Sequence, residues 1–270
     1  MSPDPGNPFT VAPTWPTRDL FGVSICAEGM GTVLGIVDET IRRRSQLLIG
    51  VVNAAKIVNM QRDAQLRQAV LEAHLILPDG MGVVWAARWL KQRLPGRVTG
   101  IDLMHAMLEQ GDSRRYRVFC LGATEEVLEE AVARIAKDHP GIVLAGKRNG
   151  YFNADEESSV VEEIRASRAD LLLVAMSSPK KEVFLAKWWR SLDVPVCHGV
   201  GGAFDVLAGK VQRAPAIWQR LGLEWFYRMA QEPGRLWRRY LVTNTLFCRL
   251  VLREWVRGVG RSSSDTRRVS

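Results

Sequence analysis

The chain is poor in residues that hold metals. Its 270 residues include four histidines and four cysteines. His74, His105, His139 and His198 show no ligand spacing, no HExxH occurs, and Cys26, Cys120, Cys197 and Cys248 form no CxxC pair. Zinc sites are built on such spacings, so a metal site is not expected. No two aspartates stand two positions apart, so the DxD pattern that ties a metal to a diphosphate is missing. GxGxxG and GxxxxGK[ST] are absent, which leaves dinucleotide and P-loop readings without support. Neither GxSxG nor a Cys–His hydrolase arrangement is present. No uncharged apolar run reaches about 18 residues, the length a spanning helix needs. A signal-peptide pattern is also lacking. Residues 1–17 are Pro-rich and polar and are expected to form a flexible N-terminal segment. Cys26, Cys120 and Cys197 sit in apolar runs, the pattern of buried free thiols in a reducing cytoplasm.

What the chain does have is an uneven distribution of charge. From residue 210 onward thirteen basic residues face four acidic ones, a net of +9, while the first 209 residues sum to −1. The formal charge of +8 therefore resides in the last 61 residues. There Trp218, Trp225, Trp237 and Trp255 alternate with arginines and with Leu246, Phe247, Leu250 and Val251. Arg and Trp on an amphipathic helix suit an interface bearing anionic lipid, and the same aromatics can instead pack back on the body. Nucleic acid is the other anionic candidate, but no nucleic-acid-binding module or helix-turn-helix is recognisable. The tail arginines Arg213, Arg228, Arg235, Arg238 and Arg239 are the candidates for docking on an anionic surface or ligand.

Before the tail, short apolar runs alternate with helical patterns. Strands are expected at Leu20–Ala27, Gln46–Asn53, His74–Pro78, Arg117–Gly122, Ile142–Gly146, Asp170–Met176 and Val194–Gly199. Helices are expected near Met30–Ser45, Ala54–Ala73, Val83–Leu94, Asp102–Gln110, Thr124–Asp138, Asp155–Ser167 and Pro179–Ser191. This alternation predicts an α/β fold: a Rossmann-like, mostly parallel sheet with helices on both faces at 18–209. A helical C-terminal appendage follows at 210–270, interrupted at Pro215 and at Glu232-Pro233-Gly234.

Ligands of such sheets bind beyond the carboxyl ends of the strands. That rule selects Asn53, Asp79-Gly80, Gly122-Ala123-Thr124, Ser177-Ser178-Pro179 and Gly199–Gly202. Asp79 can cap the next helix or take a proton from a hydroxyl. The amides of the two glycine turns can cradle a phosphate, and Lys180 and Lys181 either meet a diphosphate or form a solvated helix face.

Ordered blocks along the body carry a further signal. They are Asn53, Pro78-Asp79-Gly80-Met81-Gly82, Gly100-Ile101-Asp102-Leu103, Leu121-Gly122-Ala123, Gly150-Tyr151-Phe152 and Ser178-Pro179-Lys180-Lys181-Glu182. They continue with Gly199–Asp205, Arg213-Ala214-Pro215, Leu223-Glu224-Trp225 and Glu232–Tyr240. In these blocks the chain resembles the WecG/TagA/CpsF family of bacterial glycosyltransferases. The resemblance implies an inverting, metal-independent transfer, without a cofactor, from a UDP-sugar to a polyprenyl-diphosphate-linked saccharide. The enzyme would be peripheral on the cytoplasmic face of the bacterial membrane and serve cell-surface or exopolysaccharide synthesis. It implies Asp79 as general base with Asn53 beside it. Gly122, Ala123, Thr124, Tyr151, Ser178, Lys181, Glu182, Gly199, Gly201, Gly202 and Asp205 fall to the donor. It also makes self-association an expectation. Two positions depart from the family pattern: Lys181 stands where many members carry Gln, and Val51 where many carry Thr. The donor sugar therefore stays open. The alternative is a non-catalytic scaffold that binds a nucleotide-sugar or a polyisoprenoid phosphate.

Overall fold

The computed structural model describes residues 15–231 and 233–265, with side chains throughout except at 216, 220, 228, 233, 235, 236, 239 and 258–265. In chain order the elements are β1 (Thr17–Leu20), β2 (Val23–Cys26), α1 (Met30–Arg43), β3 (Leu47–Val52), α2 (Ala54–Met60) and α3 (Ala64–Leu71). Next come β4 (Leu75–Pro78), α4 (Met81–Trp89), α5 (Gly100–Arg114), β5 (Arg117–Gly122), α6 (Glu125–Asp138) and β6 (Val143–Arg148). The body closes with α7 (Glu157–Ala166), β7 (Leu171–Ala175), α8 (Lys180–Leu192), β8 (Val196–Gly199) and α9 (Ala203–Leu207). Then α10 (Ala216–Arg220), α11 (Glu224–Gln231) and α12 (Pro233–Asp265) form the helical tail.

Six strands form one sheet in the order β4-β3-β8-β7-β5-β6, and each neighbouring pair is parallel. Every residue of β4, β7 and β8 is buried, as strands covered on both faces require. Val33, Val37, Leu103, Met107, Leu128 and Ile135 of α1, α5 and α6 cover one face. Val160, Ile164, Phe184, Leu185 and Trp189 of α7 and α8 cover the other. The α/β class read from the sequence is the fold observed.

Two expected elements differ. The single strand at 20–27 is an antiparallel hairpin, β1 on β2, because Phe21 and Gly22 turn with φ of 58° and 70°. The single helix at 54–73 is broken after Met60, where the Asp63 side chain accepts from the Leu66 amide and starts α3. At the N-terminus Trp15 already packs against the core, and residues 1–14 lie outside the described residues.

From β5 the chain moves outward to β6, and from β7 it moves the opposite way to β8, so a crevice opens between the carboxyl ends of β5 and β7. Gly122 allows the two strand ends to close there. Its φ is 126°, the Ala123 amide donates to Ala175 O at 2.8 Å, and a Cβ on Gly122 would lie 2.4 Å from that same oxygen. Gly122→Ala is therefore expected to cost at least ~2 kcal/mol, measurable in urea unfolding. A wild-type midpoint would show that the strand ends part without penalty.

The tail packs on the body by one face. Thr243, Phe247 and Val251 recur at four-residue spacing and are buried, with Phe247 and Val251 in the core layer that holds α2, α3 and the β1–β2 hairpin. The Phe247 ring centroid lies 5.6 Å from that of Phe21.

Candidate active site

Asp79 follows β4 directly, its amide donating to Val52 O at 2.8 Å across the β3–β4 pair. It is not the cap of α4: Gly80 holds that position, and no side-chain bond closes the helix end. The carboxylate instead accepts from the Asn53 side chain and from the amide of Gly100, the first residue of α5. Asn53 is oriented by its own helix. Its Oδ1 accepts from the Lys56 amide at 2.9 Å as the cap of α2, which leaves the Asn53 NH₂ group to face Asp79. Burial pushes the Asp79 carboxyl above its ordinary value. The Lys56 ammonium and the two hydrogen bonds oppose that rise, and Glu224 adds to it.

Under this aspartate lies a buried ion cluster. Lys56 Nζ donates to Val51 O at 2.8 Å and to Glu182 Oε1 at 2.7 Å, while Lys181 Nζ meets the same Oε1 at 2.8 Å. All three side chains are at most 10% exposed. Burial alone would raise Glu182, but the two ammonium groups outweigh it and hold the carboxyl at about 2. Burial and the Lys56 charge lower Lys181, with Glu182 and Asp79 acting against them. With Asp79 ionised, the two lysines and two carboxylates balance. Uncompensated charge is costly in such a place, so the second lysine favours the ionised aspartate.

Beside the cluster runs the Gly199–Gly202 turn. A Cβ on Gly199 would meet Lys181 Cδ at 3.2 Å, and one on Gly201 would lie 3.9 Å from Lys181 Nζ. The turn offers fewer free amides than the sequence implies, because the Val200 and Gly201 amides both donate to Val174 O, at 2.9 and 3.3 Å. Asp205 comes back toward Gly202, with Oδ2 3.6 Å from where its Cβ would be. Underneath, His198 is sandwiched between Ile49 O at 3.5 Å and Gly100 O at 3.1 Å; burial drops it to about 4, so at neutral pH it is an uncharged brace for the start of α5.

The remaining predicted donor residues line the same sheet edge. Gly122 and Ala123 form the turn after β5, and the Gly150 amide donates to Ala123 O at 3.0 Å, which places the exposed Tyr151 next to that turn. Thr124 caps α6 by accepting from the Val127 amide. Ser178 is exposed between the ends of β7 and α8. Lys180 is spent on the neighbouring loop, donating to Gly150 O at 2.9 Å and lying over the Phe152 ring. Asn53, Asp79, Lys181, Glu182, Gly199 and Gly201 thus meet in one cluster, and Gly122, Ala123, Thr124, Tyr151 and Ser178 group separately around the ends of β5 and β7. The cavity beside Glu182 measures about 30 Å³, far below the several hundred a drug-sized ligand fills.

Of the tail arginines, Arg213 is committed to the body. It pairs with Asp102 at 2.6 Å and with Glu224 at 3.4 Å, while Arg97 takes the other Glu224 oxygen at 3.1 Å. Asp102 is held by the Thr99 hydroxyl at 2.6 Å, so this network sits at the start of α5, two residues beyond the Gly100 amide that serves Asp79. Arg238 is exposed over Trp237. The side chains of Arg228, Arg235 and Arg239 lie outside the described residues. Sequence reasoning missed Lys56 and Gly100. Lys56 left one trace: it is the one charged residue of α2, four positions before Met60. Among the described residues no three His, Cys, Asp or Glu side chains converge as metal ligands.

A parallel α/β sheet with an aspartate of raised proton affinity at the carboxyl end of its edge strand β4 fits an acid–base group-transfer enzyme. Residues 18–261 match the model of the Glycosyl transferase WecG/TagA/CpsF family, and the chain belongs to that family of glycosyltransferases. It is 41% identical over 175 residues to an N-acetylglucosaminyldiphosphoundecaprenol N-acetyl-beta-D-mannosaminyltransferase of Bacillus spizizenii, a match covering 64% of this chain and 67% of the relative. A protein of the same description from Bacillus subtilis is 34% identical over 194 residues, covering 72% of this chain and 75% of the relative.

Proposed function

We propose that this glycosyltransferase moves a sugar from a UDP-sugar to a polyprenyl-diphosphate-linked saccharide by a single, inverting displacement without a metal. The observation that carries the mechanism is the setting of Asp79: held by Asn53 and the Gly100 amide, raised in proton affinity, and backed by Lys56, Glu182 and Lys181. The acceptor hydroxyl attacks the anomeric carbon, its proton passes to Asp79, and the bond to the UDP oxygen breaks. A base whose affinity is pushed toward the working pH is suited to that step. Once protonated, Asp79 no longer balances the lysine pair, and the cluster carries +1 as the departing diphosphate gains negative charge. The names of the two relatives support the acceptor class, since both act on a sugar-diphosphoundecaprenol.

The tail supports work at a bilayer surface. Off the buried Phe247–Val251 stripe, α12 exposes Leu241, Leu252 and Val256 beside Arg249 and Arg253, and the exposed Trp255 and Arg257 flank that stripe. No helix among the described residues is long and apolar enough to cross a membrane. The reading places the enzyme peripherally on the cytoplasmic face.

The test incubates the protein with a panel of UDP-sugars and a synthetic prenyl-diphosphate saccharide. The expected result is release of UDP with a glycolipid one sugar longer, and turnover in EDTA within about twofold of that in Mg²⁺. Binding of a UDP-sugar with no product from any donor would favour the scaffold reading. Loss of turnover on chelation, restored by Mg²⁺ or Mn²⁺, would overturn the metal-free mechanism.

A further inference from the structure

The charge division at residue 210 conceals a second basic, tryptophan-bearing segment in the body. Between Asp79 and Asp102 the chain carries Arg88, Lys91, Arg93 and Arg97 and no acidic residue. Arg97 is taken by Glu224. Arg88, Lys91 and Arg93 are exposed and ion-paired to no described residue. Trp85 and Trp89 stand one helical turn apart on α4 and are 51% and 65% exposed. Large indoles left in water beside cations are the residues that settle at a headgroup boundary.

This face is continuous with the tail. The turn at Gly222 presses on α4 so closely that a Cβ there would meet Met81 Cβ at 2.5 Å and the Trp85 ring at 3.3 Å. Just before that turn, Ile217 and Leu221 are exposed on the α10 side. Indoles and aliphatic side chains together, ringed by Arg and Lys, match an apolar layer under anionic headgroups; a nucleic acid would leave Ile217 and Leu221 without a partner.

We infer that α4 is a second membrane-docking element, forming with the α10 turn one contact surface for an anionic bilayer. The inference rests on the reading that the tail docks there, and it adds a body element to that surface. Its placement has a mechanical reason. Helix α4 starts one residue after Gly80, so Trp85 is about 9 Å of helix rise from the backbone that carries Asp79. A surface touched by α4 brings a lipid-linked hydroxyl within reach of the base.

Co-sedimentation with vesicles of phosphatidylglycerol and phosphatidylcholine tests this on the full chain. Two variants of α4 and the segment just after it, called the α4 variants, are needed, Trp89→Ser and the triple Arg88→Gln/Lys91→Gln/Arg93→Gln, since either side chain set can be changed without touching the Asp79 cluster. A tail variant, Arg249→Gln/Arg253→Gln, is the reference. The triple variant is expected to partition onto anionic vesicles about 10- to 100-fold less than wild type, and Trp89→Ser to lose binding while Trp89→Phe retains part of it. Turnover of a short-chain, detergent-free acceptor should be unchanged in all α4 variants. If the tail variant loses binding while both α4 variants bind like wild type, the α4 inference is wrong and the tail reading stands. If wild type ignores anionic vesicles at low salt, both fail. If the chain is dimeric without lipid and Trp89→Ser makes it monomeric, the face joins two copies and the inference is overturned.

Discussion

Asp79→Asn is expected to fold, to bind UDP as wild type does, and to turn over about 10²- to 10⁴-fold more slowly, the usual cost of losing a general base. The substitution keeps the size of the side chain and its acceptor oxygen for the Gly100 amide, but the amide cannot take up the acceptor's proton. The pH profile carries the sharper signature. The base works only when ionised, and burial raises its carboxyl above the ordinary aspartate range. The acid limb of wild-type kcat/KM should therefore fall at a pH above that range. Lys56→Met removes the cation that opposes the rise and should move the limb higher still. Half or more of wild-type turnover in Asp79→Asn would remove the residue from the mechanism.

Glu182→Gln is expected to lower stability by about 3–5 kcal/mol, the cost of stripping the counterion from a buried charge pair, and the melting temperature by about 10 °C. Lys56 and Lys181 both rest on Glu182 Oε1, so the variant leaves two buried ammonium groups facing each other. The acid side offers a second reading of the same carboxyl. Its value of about 2 in the fold lies below the ordinary 4.5, so its contribution is complete above about 4.5 and is lost as pH falls toward 2. Chemical denaturation between pH 5 and 3 should show wild type losing that increment and Glu182→Gln showing a flatter course. A melting temperature within 2 °C of wild type would mean that the ion cluster is not what holds α2 against α8.

The sheet was legible because β4 and β7 are buried end to end and read as unbroken apolar runs, and β8 departs from that pattern only at His198. Position at strand ends selected Asn53, Asp79 and the glycine turns as candidates, since topology alone sends a ligand there. What the sequence concealed was pairing at a distance. Lys56 and Glu182 are 126 positions apart, and a lysine in a helix ordinarily reads as a solvated side chain. The contact of the Lys181 ammonium with its own neighbour Glu182 was equally invisible, because a Lys-Glu pair in sequence does not say which way either side chain turns. The hairpin at Phe21-Gly22 was hidden because a turn with positive φ at a phenylalanine leaves no compositional mark. Arg213 counts toward the tail's charge, but Asp102 and Glu224 take it.

That α4 begins almost at Asp79 and ends in exposed tryptophan has a consequence for how far a chain can grow here. A base carried at one end of a short rigid helix whose flank rests on the bilayer works at a single height above it. On the proposed reading the acceptor's lipid diphosphate is anchored at that surface, so only a hydroxyl at one rung of the saccharide ladder would come level with Asp79. Each added sugar lifts the new terminus past the base. An enzyme so placed would count to one: it would add its residue, release the product, and leave further extension to a catalyst that reaches higher.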